Sequence, residues 1–278
     1  MAICDVLGRF NITEYCVVPI KNEFVIYPHK LEGVGFSHDT AIVCLFSYFV
    51  SRYPKNAVLS RYAACPDYHH VIRRVLSGVC TQLCALYPGF RFSYYTDDSP
   101  YSEKDMAAFG GLIIRGKNDI GLSQKFGQLF FIGEIVTDAP IAHEYRTPPV
   151  CCKDAPCLRA CPTGAINENG FERTRCLSHI SQKIGREFSD ADAALFARAR
   201  YAWGCDICLN ACPKNKSQDD TPIKELHDIA PYISIEEICG LSNREYREKY
   251  RGRVFAGRGK AAMMRNLRHL KENNKWNF

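Results

Sequence analysis

Eight cysteines fall between Cys151 and Cys212, and their spacing suits ligands better than packing. The first group reads Cys151-x5-Cys157-x3-Cys161-Pro162, and the second reads Cys205-x2-Cys208-x3-Cys212-Pro213. Closely spaced thiolates on a tight loop can cap the irons of one cube. A cysteine before proline can start a helix that leads toward a neighbouring cube. Zinc also accepts paired cysteines, but it does not require the x3-Cys-Pro ending, which occurs twice here. The pattern predicts two 4Fe–4S clusters.

Two-cluster ferredoxins use C-x2-C-x2-C-x3-C-P, with the last cysteine crossing to the other cluster. Counting ligands against that run exposes one departure, because Asp154 stands where the second cysteine of the first group belongs. Cys176, alone between the groups, can fill one further place. One cluster then takes Cys151, Asp154, Cys157 and Cys212, and the other takes Cys161, Cys176, Cys205 and Cys208. Carboxylate is a harder and weaker iron ligand than thiolate. Three arrangements therefore stay open: Asp154 binds, Cys152 moves in to replace it, or one iron is left open. The other seven cysteines (Cys4, Cys16, Cys44, Cys65, Cys80, Cys84 and Cys239) read as small buried apolar residues.

The elements that must position this chemistry are legible in the periodicity. Thr40–Val50 is strand-like and nearly all apolar, and Tyr68–Leu86 carries a helical apolar stripe from Val71 to Leu83. Phe90–Tyr95 and Gln128–Val136 are again strand-like, and Ser102–Phe109 reads as a short helix after Pro100. Strands alternating with helices predict a layered α/β domain over residues 1–148. Pro148 and Pro149 mark a boundary, and residues 149–278 then form a ferredoxin-like double-cluster domain. Within it, Arg186–Arg200 reads as a helix, and Asn243–Glu272 as one or two helices broken around Gly252–Gly259. The fold class expected is α+β.

Composition narrows the setting. Apolar residues make up 46% of the 278 and charged residues 24%, as in soluble globular proteins. Asp5, Arg9 and Glu14 would break the apolar core of a signal peptide. Ala41–Val50 is about half the length of a membrane span. No export signal and an odd cysteine count argue against a disulfide framework, so a reducing, cytoplasmic location is expected. From Arg244 to Lys275 there are eleven Lys and Arg against three Glu, within a chain whose net charge is +6. That basic stretch could face a phosphate backbone, or it could be a solvated helical face.

Further motifs lie outside the cysteines. Arg61-Tyr62-Ala63 is followed by Asp67-Tyr68-His69, and Thr96-Asp97-Asp98-Ser99-Pro100 by Glu103-Lys104. Gly111-Leu112, Gly116-Lys117-Asn118, Phe130–Ile135 and Thr137-Asp138 come next, then Ala160–Ile166 and Gly204–Cys208. In this order they resemble the epoxyqueuosine reductase family, iron–sulfur and cobalamin enzymes related to reductive dehalogenases. The resemblance implies cobalamin in the N-terminal domain. It implies reduction of the epoxide of epoxyqueuosine in tRNA, with electrons from a donor such as ferredoxin or flavodoxin. It also implies that Asp97 is the proton donor, its pKa lifted by burial beside the corrin. Asp67, Tyr68, His69, Arg115, Gly116, Lys117 and Asn118 would then lie about the cofactor.

The chain departs from the family at Ala64-Cys65-Pro66 and at Ile113-Ile114, where the family has a basic, glycine-containing step and a glycine-tryptophan pair. Many members also continue into a helical-repeat domain that helps hold tRNA. Here the basic stretch, with Arg265, Arg268 and Lys271, would partly substitute. Two alternatives remain: a related cobalamin reductase acting on a small epoxide or organohalide, and a cobalamin-free electron carrier. The acid-bearing loop argues against the carrier, which would need no proton donor.

Overall fold

The computed structural model describes residues 2–273 as two compact units whose sequences interleave. One contains the chain up to Phe49, Tyr68–Cys152 and Asp220–Ile223. The other contains Val50–Asp67, Lys153–Asp219 and the chain from Lys224 onward. The units do not follow from a single cut after Pro148, because contacts made by the chain between Val50 and Asp67 assign it to the later unit. Lys275, the last residue of the basic stretch, lies outside the described residues.

The first unit is built on a four-stranded sheet. Strands β1 (Tyr15–Pro19), β2 (Thr40–Ser47), β3 (Phe92–Tyr95) and β4 (Phe130–Thr137) take the order β1-β2-β4-β3, all antiparallel. β2 is buried at all eight positions, which accounts for its unbroken apolar sequence. Helix α1 (Ile3–Arg9) precedes the sheet, and α2 (Tyr68–Leu86) packs on β3 and β4, burying Val71, Ile72, Leu76, Val79 and Leu83. Gly133 on β4 permits that approach, since a Cβ there would lie within 3.0 Å of Ile72, Leu76 and Phe46. Helix α3 (Glu103–Phe109) contributes Met106 and Ala107 to a core with Val43, Leu45, Ile132 and Val136. Side chains alternate across a strand. Glu134 therefore shares the α3 face with Ile132 and Val136, and Phe131 shares the α2 face with Gly133.

Among the described residues, the second unit holds seven helices of more than one turn: α4 (Pro156–Ala160), α5 (Leu177–Ser181), α6 (Asp190–Phe196), α7 (Ile207–Ala211), α8 (Ile235–Cys239), α9 (Asn243–Lys249) and α10 (Lys260–Glu272). A single helical turn, Arg61–Ala64, joins them. The core gathers Trp203, Tyr246, Phe255, Phe196 and Leu267, each essentially inaccessible. Asn266 ties it together: its Nδ2 donates to the carbonyls of Ser181 and Ala202, both at 2.7 Å, and its Oδ1 accepts from Arg265. Arg265 is 1% exposed and lies 3.9 Å from the centre of the Phe188 ring. The expectation that Arg265 faces RNA phosphate is therefore corrected, because its guanidinium is spent inside the core.

Much of the remaining basic stretch is also engaged. Lys249 pairs with Glu237 at 2.9 Å, Arg253 with Asp228 at 2.8 Å, and Lys271 with Glu236 at 3.1 Å. The helix expected over 186–200 is confined to α6, which Ser189 caps by accepting the Asp192 N–H. Among the described residues, no helix is long and apolar enough to cross a membrane.

Candidate functional site

The Cys-Pro runs fold as a matched pair. Helices α4 and α7 pack against each other, with Cys157 and Cys208 at their second positions. Cys161 and Cys212 are their C-caps, at ψ 112° and 122°. A residue before proline is pushed out of the helical region, so each Cys-Pro ends a helix. This corrects the expectation that such a cysteine starts one, although Cys212 also opens the 3-10 turn Pro213–Asn215.

Four features surround the second expected ligand set. Burial pushes the Cys205 thiol well up, and negative charge on Cys208, Asp206 and Cys176 adds to the shift. Such a gathering of thiols is relieved by a bound cation. Burial also raises Cys161, but hydrogen bonds from Thr163 and from the backbone N–H of Ile166, Thr163 and Ala165 outweigh it and favour the thiolate. Asp206 is buried and accepts the Arg61 N–H at 2.7 Å, which anchors the loop between Cys205 and Cys208. Gly204, at φ 71°, lets that loop pass Ser60, whose Oγ a Cβ would meet at 1.9 Å.

The entry to the first run is different. Asp154 is exposed, and Ala155, the N-cap of α4, is left-handed at φ 41°, ψ 55°. Among the described residues, no three Cys, His, Asp or Glu side chains converge on a single ion. A cube gives each thiolate its own iron and so spaces the sulfurs more widely than a mononuclear site does. Of the seven scattered cysteines, Cys16, Cys44, Cys65 and Cys80 are buried as expected, whereas Cys4, Cys84 and Cys239 are exposed.

The second constellation lies wholly in the first unit and centres on Asp97. The Asp98 N–H closes a tight turn on the Thr96 carbonyl at 2.7 Å, holding Asp97 at φ 58°. Aspartate tolerates this region better than most residues, yet such strain is most common where function needs it. Tyr68 Oη donates to the Asp97 carboxylate, and His69 Nε2 lies 3.3 Å from it. Both come from the first turn of α2. Tyr68 is sandwiched between His69 (ring centres 4.2 Å apart) and Phe131 (4.0 Å, interplanar angle 8°). Asp98 instead turns to Lys30 and Arg73.

Behind Asp97 stand two more carboxyls. The Asp97 N–H donates to Glu103 Oε2 at 3.4 Å, and the two side chains hydrogen bond each other. Burial raises Asp97, but hydrogen bonds from His69 and Tyr68, the His69 charge and Glu103 outweigh it, so its pKa is low. The lifted pKa expected for Asp97 is found instead on its neighbours. Burial, then the charges of Asp97 and Glu134, push Glu103 well above the carboxylate range. Burial pushes Glu134 up to about 8, and only Ser99 opposes it.

The residues expected to line a cofactor divide. Asn118 is buried and exchanges hydrogen bonds with Gln128, at 3.2 and 2.8 Å. A Cβ on Gly116 would lie 2.8 Å from both partners, so the glycine belongs to this clasp. Lys117 is exposed, and Arg115 pairs with Asp105 at 2.7 Å and Asp119 at 3.1 Å. The Asp67 N–H donates to the Gly252 carbonyl at 2.6 Å. Sequence reasoning missed Phe131, Glu103 and Glu134 as site residues. All three stand in motifs that carry the family resemblance, Glu103 after the acid-bearing turn and Phe131 and Glu134 in the Phe130–Ile135 stretch. The departures at Cys65 and Ile113 are both buried, and burial pushes the Cys65 thiol up to about 12, too high for ready reactivity.

Residues 150–215 match the family described as "4Fe-4S double cluster binding domain", and residues 32–98 match "Epoxyqueuosine reductase QueG, DUF1730". An epoxyqueuosine reductase of Gloeobacter violaceus is 30% identical over 225 residues, covering 77% of this chain and 69% of the relative. The chain belongs to the epoxyqueuosine reductase family. A Burkholderia pseudomallei epoxyqueuosine reductase is also 30% identical, over 227 residues, covering 77% of this chain and 55% of the relative. This family member thus spans about half the length of the first curated relatives it matches. In fold it resembles a crystal structure of epoxyqueuosine reductase with a tRNA-Tyr epoxyqueuosine-modified stem loop. The TM-score is 0.80 at 20% identity, covering 98% of this chain and 80% of the other. Within the family frame, the double-cluster match contains every cysteine of both expected ligand sets, from Cys151 to Cys212.

Proposed function

We propose that the chain is a cobalamin-dependent reductase that converts the epoxide of epoxyqueuosine in tRNA to the alkene of queuosine. The observation that carries this reading is the acid group about Asp97. It sits in a strained turn against Tyr68 and His69, in a chain that also has a double-cluster domain. An electron carrier has no use for such a proton source. Loss of the epoxide oxygen as water consumes two electrons and two protons. In this reading the clusters supply single electrons at low potential, taken from a donor such as ferredoxin or flavodoxin in the cytoplasm.

The ligands in this reading are Cys151, Asp154, Cys157 and Cys212 for one cluster and Cys161, Cys176, Cys205 and Cys208 for the other. Cobalamin, if bound, would supply the low-valent metal chemistry for carbon–oxygen bond cleavage. Tyr68, His69, Arg115 and Lys117 offer it polar and cationic contacts, and the Gly116–Asn118 clasp keeps their loop in shape. Asp67 would border the same group. Asp97 protonates the departing oxygen, with Tyr68 and His69 fixing its carboxyl. In this reading cobalamin and substrate are held chiefly by the stretch Tyr68–Cys152 of the first unit, and the clusters chiefly by Lys153–Asp219 of the second.

Reconstitution without oxygen tests the reading. About eight irons and as many sulfides per chain are expected, with a changed cobalamin spectrum and queuosine formed in tRNA under a strong reductant. Cofactor binding with turnover of small epoxides or organohalides alone would replace the substrate. Clusters without cobalamin binding would reduce the chain to an electron carrier.

A further inference from the structure

Removing an epoxide oxygen as water takes two protons, and one carboxyl can hold only one. We infer that Glu103 is the site's proton reserve, standing behind Asp97 and handing its proton to the Asp97 carboxylate. This inference rests on the proposed reductase reading and names a residue that the reading leaves without a role.

The geometry is specific. Glu103 is the first residue of α3, so its position is set by a helix packed on the sheet rather than by the loop alone. Its carboxyl meets Asp97 twice, accepting the backbone N–H at 3.4 Å and sharing a hydrogen bond with the side chain. The charged and titratable groups facing it are Asp97, from the turn before α3, and Glu134, from β4. Tyr68 and His69 lie on the other side of Asp97. Glu134 is fully buried, Ser99 occupies one of its oxygens, and the other has no hydrogen-bond partner among the described residues. Three carboxyls this close cannot all ionise. Tyr68 and His69 stabilise the charge on Asp97, and burial keeps the proton on Glu103. Neighbouring acids pushed apart in this way divide the roles of donor and reserve.

The transfers balance without any redox change in these side chains. The Glu103 carboxyl gives its proton to the Asp97 carboxylate, leaving Glu103 charged and Asp97 neutral. Asp97 then protonates the substrate oxygen and returns to carboxylate. Solvent reloads Glu103, and a second passage through the same two carboxyls delivers the second proton, so that two protons and the two electrons from the clusters release the oxygen as water. Glu103 acts through Asp97 and need not touch the substrate.

The test uses the full chain with both clusters rebuilt. Infrared spectra of the cobalamin-free protein at neutral pH should contain a protonated-carboxyl band that Glu103→Gln removes and Glu134→Gln does not. With cobalamin and epoxyqueuosine-tRNA, Glu103→Gln should lose about a hundredfold or more in kcat with KM little changed, and Glu103→Asp should recover part of it. If Glu103→Gln does not retain its clusters, Glu103→Asp carries the test: a surviving protonated band with turnover above that of Asp97→Asn is expected. A wild-type spectrum whose protonated bands all survive Glu103→Gln overturns the proposal. So does near-wild-type kcat in Glu103→Gln across the pH range. Because the spectra need neither cobalamin nor substrate, an inactive wild type that still shows the Glu103 band would sink the reductase reading alone.

Discussion

Two buried polar clusters, one in each unit, are satisfied to different degrees. In the second unit the cluster about Asn266 is saturated: Asn266 uses both ends of its amide, and Arg265 is held by Asn266, Ser181, Gly185 and the Phe188 ring. Elsewhere in that unit Ser60 Oγ and Tyr246 Oη have no hydrogen-bond partner among the described residues. In the first unit three carboxyls crowd together, one oxygen of Glu134 has no hydrogen-bond partner among the described residues, and Asp97 is held left-handed. A saturated network lowers the free energy of the fold and specifies one packing. A crowded and strained one raises it, and perturbed acids of this kind cluster at functional sites.

The comparison breaks most easily at Asp97. Asp97→Asn should keep both clusters and its melting temperature yet lose about a hundred- to ten-thousandfold in turnover of epoxyqueuosine-tRNA. Asp98→Asn, whose parent side chain faces Lys30 and Arg73, should lose far less. Equal losses in the two variants would mean that the turn, and not the acid, is what matters.

The saturated Asn266 network should show the reverse pattern. Asn266→Ala strands the carbonyls of Ser181 and Ala202 and strips two hydrogen bonds from Arg265. A cost on the order of 3 kcal/mol is expected, a fall in Tm of about 6–12 °C. Thermal melts of the reconstituted protein read this directly, and a loss under about 2 °C would show the network to be dispensable.

The crowded carboxyls should also carry a pH signature. With Glu134 pushed from 4.5 to about 8, the native state keeps a proton that the unfolded chain releases, so stability falls as pH rises through that window. Glu134→Gln, a neutral mimic, should therefore raise Tm relative to wild type at pH 8 and change it little near pH 4.5. A constant offset across that range would place the charge elsewhere.

The finest comparison lies inside the second unit, between the two cysteine runs. Asp154 is exposed and Ala155 left-handed, and carboxylate is a weaker iron ligand than thiolate, so the first run is expected to be the weaker holder of iron. Mild oxidation should release one iron and leave a three-iron signal in electron paramagnetic resonance, which Asp154→Cys suppresses. If Cys152→Ala destroys the cluster while Asp154→Ala spares it, the ligand is Cys152.

Local signals were enough for some of this protein. The apolar stripe of Tyr68–Leu86 predicts both ends of α2, the unbroken apolar run predicts the fully buried β2, and Pro100 with Ser102 places the start of α3 to within a residue. The Cys-Pro spacing predicts the clusters because pre-proline sterics and i, i+4 geometry act within a few residues. Strand order and direction were not legible, since antiparallel pairing of β2 with β4 joins residues about ninety positions apart. Nor was the attachment of Val50–Asp67 to the second unit, or the burial of Arg265, because a basic residue reads alike on a surface and beside Phe188. Asp97 could be singled out from its motif, but its low pKa could not. That depends on Tyr68 and His69, nearly thirty residues earlier, and on α3 placing Glu103 against it. Sequence spacing sets which groups a short segment can offer. Desolvation and the charges facing each group set which of them holds the proton, and only tertiary packing decides those.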